Sequence, residues 1–273
     1  METINLCSYQ FFCCFNFLMN LFPSSIIESI NSIKVTDKGH FSTKVLPGNA
    51  IHLVVHEGPS VRMQMGDDAE SSMSGAWLCG HLTRQKSFLI PFESNVAVIK
   101  LKPWAGSKIL GLNLFDVINS EVKLDEILPG DLKLKWEDGS FNLKEKVDSL
   151  LLHFQQRLQQ ISLSSSLIYT IQTIEAQAGN LRVDDLADHL GFSRRKLERT
   201  FKDLTGITIK KFMTISRFRH AFEQVSQRRP IHEIVFNCGY YDQTHFIEEF
   251  KTFSGETPAN FIRNNLAAGF YLT

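Results

Sequence analysis

Two kinds of periodicity divide the chain. Up to about residue 135, apolar residues alternate or form short blocks between turn residues; from about residue 142 they recur at helical spacing. In the first part, residues 41–46 end at Pro47-Gly48-Asn49 and residues 51–55 break at Glu57-Gly58-Pro59. Residues 76–82, 87–91 and 96–102 follow as further short runs. This spacing predicts strands in series, hence a small β-sandwich or barrel. In the second part, Leu143, Val147, Leu150, Leu151, Phe154, Leu158 and Ile161 form one stripe of a helix starting near Asn142. Val147, Leu150, Phe154 and Ile161 approximate a coiled-coil seam interrupted by Arg157. The helix therefore packs on the β-rich part or pairs two chains, with pairing slightly favoured. Residues 162–166 (Ser-Leu-Ser-Ser-Ser) read as a linker or as the cap of the next helix.

One pattern then occurs twice. Val183-Asp184-Asp185-Leu186-Ala187-Asp188-His189-Leu190 precedes the turn Gly191-Phe192 and a helix carrying Leu197, Phe201 and Leu204 at i, i+4 and i+7. His232-Glu233-Ile234-Val235-Phe236-Asn237-Cys238 precedes Gly239-Tyr240-Tyr241 and a helix with Phe246, Phe250 and Phe253 at the same spacing. Glycine supplies the backbone freedom of a sharp helix-helix turn, and Ser193 and Asp242 stand where an N-cap oxygen belongs. This is the pattern of a helix-turn-helix, which presents its second helix to the major groove of DNA. The outward face of the first such helix carries Arg194, Arg195, Lys196, Arg199 and Lys202 against Glu198. The second carries Gln243, Thr244, Ile247, Glu248 and Lys251 and is nearly neutral. Between the two units, Phe212, Ile215, Phe218, Phe222 and Val225 keep helical spacing, so residues 209–227 form a connecting helix with an apolar core face.

Residues 165–264 resemble the DNA-binding domain of the AraC/XylS family of bacterial transcription regulators. The resemblance is carried by Leu186-Ala187, Gly191-Phe192-Ser193, Leu197-x-Arg199-x-Phe201-Lys202, Thr205-Gly206 and Arg217-x-Arg219-x-Ala221. It continues through Gly239-Tyr240, Asp242-Gln243-Thr244-His245-Phe246, Phe250-Lys251 and Gly255-x-Thr257-Pro258-x-x-Phe261. It implies seven helices, with two helix-turn-helix units held apart by one long helix. By the same resemblance Arg195, Glu198, Arg199, Gln243, Thr244, Ile247 and Glu248 contact bases. Arg194, Lys196, Lys202, Lys210 and Lys251 are the expected phosphate contacts. Two departures touch the second unit: Glu248 stands where basic or small polar residues are usual, and Val235 where alanine is usual. The phrase from Leu101 to Gly111, with Leu46-Pro47-Gly48-Asn49, resembles the cupin-like sensor domain of a subset of these regulators. That resemblance brings no ligand with it, and the pocket is left unassigned.

Charge narrows the picture only locally. The chain has 29 Lys and Arg and 29 Asp and Glu, a formal net charge of zero. Phosphate affinity then depends on where cations sit, at 194–202, Lys210-Lys211, Arg217, Arg219, Arg228 and Arg229. Arg217 and Arg219 have an equally good reading as partners of internal carboxylates. The five cysteines (Cys7, Cys13, Cys14, Cys79, Cys238) show no metal-ligand spacing and no disulfide framework, which suits a reducing cytoplasm. Cys238 reads as a small buried side chain.

His52 and His56 share one face of a strand, with Glu57 adjacent and His81 further on, but the paired His-x-His of metal cupins is missing. No nucleophile elbow, phosphate loop or dinucleotide fingerprint is present, so neither catalysis nor a cofactor is expected. Trp77, Phe88, Phe92, Trp104, Met63 and Met65 read as core or as the lining of an apolar pocket. Residues 6–22 are rich in Phe and Cys, yet the first cation is Lys34, and Gln10, Asn16 and Asn20 interrupt the run. That lacks the basic start of a signal peptide and the length of a membrane helix; it reads as a strand or helix packed on the first domain, with no membrane partner.

The expected fold is α+β: a mainly-β cupin-like sandwich or barrel, then an all-α domain with two helix-turn-helix units joined by a long helix. The expected boundaries are 1–140 for a sensor or dimerisation domain, 141–164 for the connecting helix and linker, and 165–265 for the tandem helix-turn-helix. The function read from these residues is sequence-specific transcription regulation in the cytoplasm, associated with the nucleoid. Double-stranded promoter DNA, a small-molecule effector, RNA polymerase and a second copy of the chain are the expected partners. The competing reading is a cupin-like small-molecule or metal-binding protein with a vestigial DNA-binding module.

Overall fold

A computed structural model describes residues 9–11, 26–36, 39–128, 130–137, 139, 141–158, 164–264 and 271–272. Its strands are β1 (Tyr9–Phe11), β2 (Ile27–Val35), β3 (His40–Val45), β4 (Ile51–Met65), β5 (Ser71–Cys79), β6 (Lys86–Pro91), β7 (Asn95–Leu101), β8 (Glu121–Lys123) and β9 (Tyr271–Leu272). They form one sheet in the order β1-β2-β7-β4-β6-β3-β9, with β5 pairing β4 and β8. Every pairing is antiparallel except β3 with β9. Of the apolar run 6–22, Tyr9–Phe11 pair with β2; the rest of it, with Cys7, Cys13 and Cys14, lies outside the described residues.

The sheet curls because β4 changes partners midway. Residues 51–57 pair with β7, whereas Arg62–Met65 pair with β6, and the register on β5 shifts between His56 and Val61. Glu57-Gly58-Pro59, expected to end a strand, is therefore a bulge inside one long strand, with Gly58 at φ +110°. A bulge bends its strand and increases local twist, which here turns a flat sheet into a barrel.

Period-2 alternation then sorts side chains to two buried faces. Ile51, Leu53, Val55, Ala97, Ile99 and Leu101 join the main core. Their neighbours His52, Val54, His56, Val96, Val98 and Lys100 line a cavity of about 90 Å³ inside the barrel, with Ser29, Asn31, Phe88, Lys86 and Glu121. Of the six aromatic and methionine candidates for a pocket, Phe88 alone lines this cavity. Trp104 belongs to the main core and Met63 to a smaller one around Phe41 and Ile90.

The helices are α1 (Ala105–Ile109), α2 (Gly130–Glu137), α3 (Leu143–Leu158), α4 (Ser165–Ala176), α5 (Val183–His189), α6 (Arg194–Thr205), α7 (Ile209–Ser226), α8 (Ile231–Asn237), α9 (Gln243–Ser254) and α10 (Pro258–Asn264). Helix α3 starts at a capping box: the Glu145 amide donates to Asn142 Oδ1 (3.1 Å) and the Asn142 amide to Glu145 Oε2 (2.8 Å). Its Val147, Leu150, Leu151 and Phe154 are fully buried within one chain, against β4 and β7. The chain-pairing seam is thereby corrected: the sheet already covers that stripe. Arg157, the interruption, donates to the Ile109 carbonyl (3.3 Å), and Ile161 lies outside the described residues. Ser164 is the residue before α4, and Ser165 and Ser166 are already helical.

The β and helical domains share one hydrophobic core. The segment 104–117 docks on α6: Ser107 Oγ donates to the Leu204 carbonyl (2.8 Å), and the Leu114 backbone covers Gly206. At the other end of the contact Asn49 donates to Ser216 Oγ, Gln85 lies against Gly255, and Lys44 pairs with Glu256 (3.8 Å). His81 is buried at this junction, with Nδ1 3.5 Å from the Gly48 carbonyl. Burial lowers His81 to about 4; burial, then the nearby Lys100, lowers His52 to about 4. Above the ordinary histidine value both are neutral, folded or unfolded. Between about 6.5 and 4 the unfolded chain takes up protons that the folded chain refuses, so stability falls with pH by roughly 3 kcal/mol per histidine. Thermal melts across this window are expected to show the loss, and His81→Gln to flatten it by one proton; an unchanged slope would remove His81 from the account.

Candidate DNA-reading surface

Each helix-turn-helix is built by local signals that the backbone obeys. Ser193 Oγ accepts from the Lys196 amide (3.3 Å) and Asp242 Oδ1 from the His245 amide (2.8 Å), so both second helices are capped at the expected residue. Gly191 and Gly239 take φ +63° and +66°, the left-handed turn that glycine tolerates. Leu197, Phe201, Phe246 and Phe250 are fully buried, which turns the opposite faces of α6 and α9 outward.

The expected contact residues on α6 and α9 lie on that outward side except Ile247, which packs against the core, while Lys210 stands at the start of α7. Arg195, Arg199, Gln243, Thr244 and Glu248 are exposed, and Glu198 and Ile247 are half-buried. Arg194, Lys196, Lys202, Lys210 and Lys251 are exposed as well. They are not equally available. Arg194 is held by Glu198 (3.1 Å) and by Asp184 (3.1 Å), so this cation and the Glu198 carboxylate neutralise each other. Hydrogen bonding to Glu198, then the charge of Asp184, raises Arg194 further above its ordinary range. Lys196 lies over the Phe192 ring (3.9 Å), and Lys202 over Phe115 of the β domain (4.4 Å). Arg195 and Arg199 make no ion pair among the described residues.

Arg217 and Arg219 leave the phosphate list. Arg217 forks onto Glu249 (3.2 and 2.7 Å) under the Tyr240 ring, the internal pairing that was one of its two readings. Arg219 faces the β domain, its Cδ 4.0 Å from where a Gly48 Cβ would stand. Lys211 lies over Phe253 (4.7 Å), and burial lowers its ammonium. Cys238 is buried as expected, and burial pushes its thiol up to about 11.

The barrel cavity holds polar residues that sequence reasoning missed. Lys86 pairs with Glu121 at the cavity wall, and Lys100 with Glu28 (3.2 Å). Their signal was a single charge in an otherwise apolar strand, Lys86 at the start of β6 and Lys100 near the end of β7, which reads equally well as a solvent-facing position. His52 and His56 both line the cavity, His56 Nε2 lying 3.4 Å from Ser94 Oγ, while His81 sits apart at the domain junction. Among the described residues no three His, Cys, Asp or Glu side chains converge as a metal site would need, and no helix is long and apolar enough to cross a membrane.

Residues 186–264 match the sequence family described as a helix-turn-helix domain. The chain is 32% identical over 110 residues to the Msm operon regulatory protein of Streptococcus mutans, a span of 37% of this chain and 40% of that protein. It is 29% identical over 85 residues to the probable transcription factor PqrA of Proteus vulgaris, 31% of this chain and 70% of that one. ToxT of Vibrio cholerae aligns with 86% of this chain and 97% of its own at 12% identity and a TM-score of 0.45. Residues 186–264 are thus a helix-turn-helix domain by sequence family as well as by geometry. The matched span covers less than half the length of the Streptococcus relative.

The half-buried Arg217–Glu249 fork ties α7 to α9. Arg217→Ala strands a carboxylate with little water and is expected to cost about 1–3 kcal/mol. Denaturant titration checks this, and Arg217→Ala/Glu249→Ala should recover part of the loss.

Proposed function

We propose that this protein is a sequence-specific DNA-binding transcription regulator whose α6 and α9 enter successive major-groove segments. The observation that carries the reading is the pair of capped, outward-facing second helices on one rigid helix, within an AraC-type domain. Arg195 and Arg199 read bases from α6; Gln243, Thr244, Ile247 and Glu248 do so from α9, with Glu198 available to cytosine N4 once Arg194 turns to phosphate. Lys196, Lys202, Lys210 and Lys251 meet the backbone.

Residues 1–140 form the regulatory domain, 141–164 the connection and 165–265 the reader. The barrel cavity is the place for a small-molecule effector, supported by the polar side chains that point into it. The β domain touches the C-terminal end of both reading helices, at Gly206 and at Gly255-Glu256. A change in the barrel is thereby felt by both readers, and this biases how they sit on a promoter. The setting is cytoplasmic, beside the nucleoid, with RNA polymerase as the downstream partner.

Selection of bound sequences from a random DNA pool tests the reading. The wild type should enrich two half-elements about one helical turn apart. Arg195→Ala and Arg199→Ala should each weaken specific binding by roughly 1–3 kcal/mol. Equal losses on selected and random DNA would leave these arginines as phosphate contacts only.

The docking of the β domain generates a separate expectation. A Cβ at Gly206 would lie 2.5 Å from the Leu114 backbone, and Gly206 is at φ +80°. Gly206→Ala should destabilise the chain by more than about 1 kcal/mol and relax the preferred spacing of the half-elements. An unchanged spacing would show that the contact does not set the readers.

A further inference from the structure

The two readers differ by one residue in their turns, and the difference resides in Tyr241. Six positions separate Gly191 from the first core residue Leu197, but seven separate Gly239 from Phe246. Phe192 and Tyr240 occupy matching places after the glycine, and Ser193 and Asp242 are the matching N-caps. Tyr240 is buried, packed edge-on to Phe246 at 5.1 Å. Tyr241 is the additional residue. It is 92% exposed, more than any other large apolar side chain described, and makes no hydrogen bond among the described residues.

Charge makes this position matter. Helix α6 carries five cations against Glu198 and Asp203, whereas α9 carries Lys251 alone against Glu248 and Glu249. The nearest arginine on α7, Arg217, is consumed by Glu249. The second reader therefore lacks the cations that hold the first against a polyanion. A phenol is a neutral donor, and tyrosine hydroxyls are regular partners of phosphate oxygens. Tyr241 directly precedes the N-cap, at the end of α9 that faces base edges, where the strand bordering the groove must pass. The β domain grips the opposite end of this helix, about 18 Å away at 1.5 Å per residue.

We propose that Tyr241 donates its hydroxyl to a DNA backbone phosphate and anchors the second reader, which charge alone does not hold. The inference rests on the DNA-binding reading above. Its test is anisotropy of the full chain on its selected duplex, over a salt series, for wild type, Tyr241→Phe, Tyr241→Lys and the Arg195→Ala/Arg199→Ala control. Tyr241→Phe should weaken binding roughly three- to tenfold, equally on matched and mismatched second half-elements, with the salt slope unchanged. Tyr241→Lys should restore affinity and steepen the slope by about one ion. All three substituted residues are exposed, so melting temperatures should stay at the wild-type value. Wild-type affinity in Tyr241→Phe, with the arginine control losing its motif, would overturn the inference and leave the DNA-binding reading standing. A transcription assay of Tyr241→Ala is run beside it: lowered transcription there, with normal DNA binding by Tyr241→Phe, would assign the ring to a protein partner and likewise overturn the inference. No enriched sequence for the wild type would remove both.

Discussion

The phenylalanine packing along α7 is the constraint on which the reader geometry depends. Near its start Phe212 meets Phe201 of α6 edge-on, with centroids 5.2 Å apart. Further along, Phe218 touches Phe250 (5.6 Å) and Phe253 (4.9 Å) of α9, and Phe222 touches Phe261 of α10 (4.8 Å). Phe212 and Phe222 are ten residues apart, about 15 Å of helix. Each ring is large, rigid and fully or almost fully buried, so neither reader can slide along α7 without opening a cavity. The separation of the two reading helices is therefore a property of one helix rather than of a flexible linker.

The β domain adds a second constraint from the other side. Lys44 and Gln85, which touch the end of α9 and the residues after it, are sequence neighbours of Thr43, Val45 and Lys86, which line the barrel cavity. For Lys44, inside β3, strand alternation forces this arrangement, one residue pointing into the barrel and the next out toward the helical domain, while Gln85 directly precedes β6. The wall of the cavity and the contacts to the end of α9 are in this way one residue apart. The first reader is held independently, by the segment 104–117 against Leu204 and Gly206.

The readers also differ electrostatically. Among the described residues the first keeps Arg195 and Arg199 outside any ion pair, while its other cations are partly engaged, Arg194 by two carboxylates and Lys202 by an aromatic ring of the β domain. The second directs its strongest charge pair inward, where Arg217 and Glu249 join helices rather than face solvent. One reader is suited to charged readout and steep salt dependence, the other to neutral hydrogen bonds.

Helical features were legible because helix formation is local. The N-caps Ser193 and Asp242, the turn glycines and the i, i+4, i+7 stripes all lie within a few residues of what they organise, and each is where the pattern places it. The β domain was legible as strands in series forming a sandwich or barrel, but not in which side chains its cavity takes in. Whether His52, His56 and Lys100 face bulk water or a cavity depends on how the sheet curls, and the curl depends on a bulge at Gly58 that is indistinguishable in sequence from a turn. The stripe on α3 likewise suited either a second chain or a sheet, and the sheet took it. Arg217 was ambiguous because its partner Glu249 lies 32 positions away. Sequence by itself determined the reading helices, their caps and the residues they present, since short-range hydrogen bonds and periodicity suffice for that. Tertiary structure alone decided which cations remain outward, what lines the barrel and how the β domain holds both readers, because each depends on contacts between residues far apart in the chain.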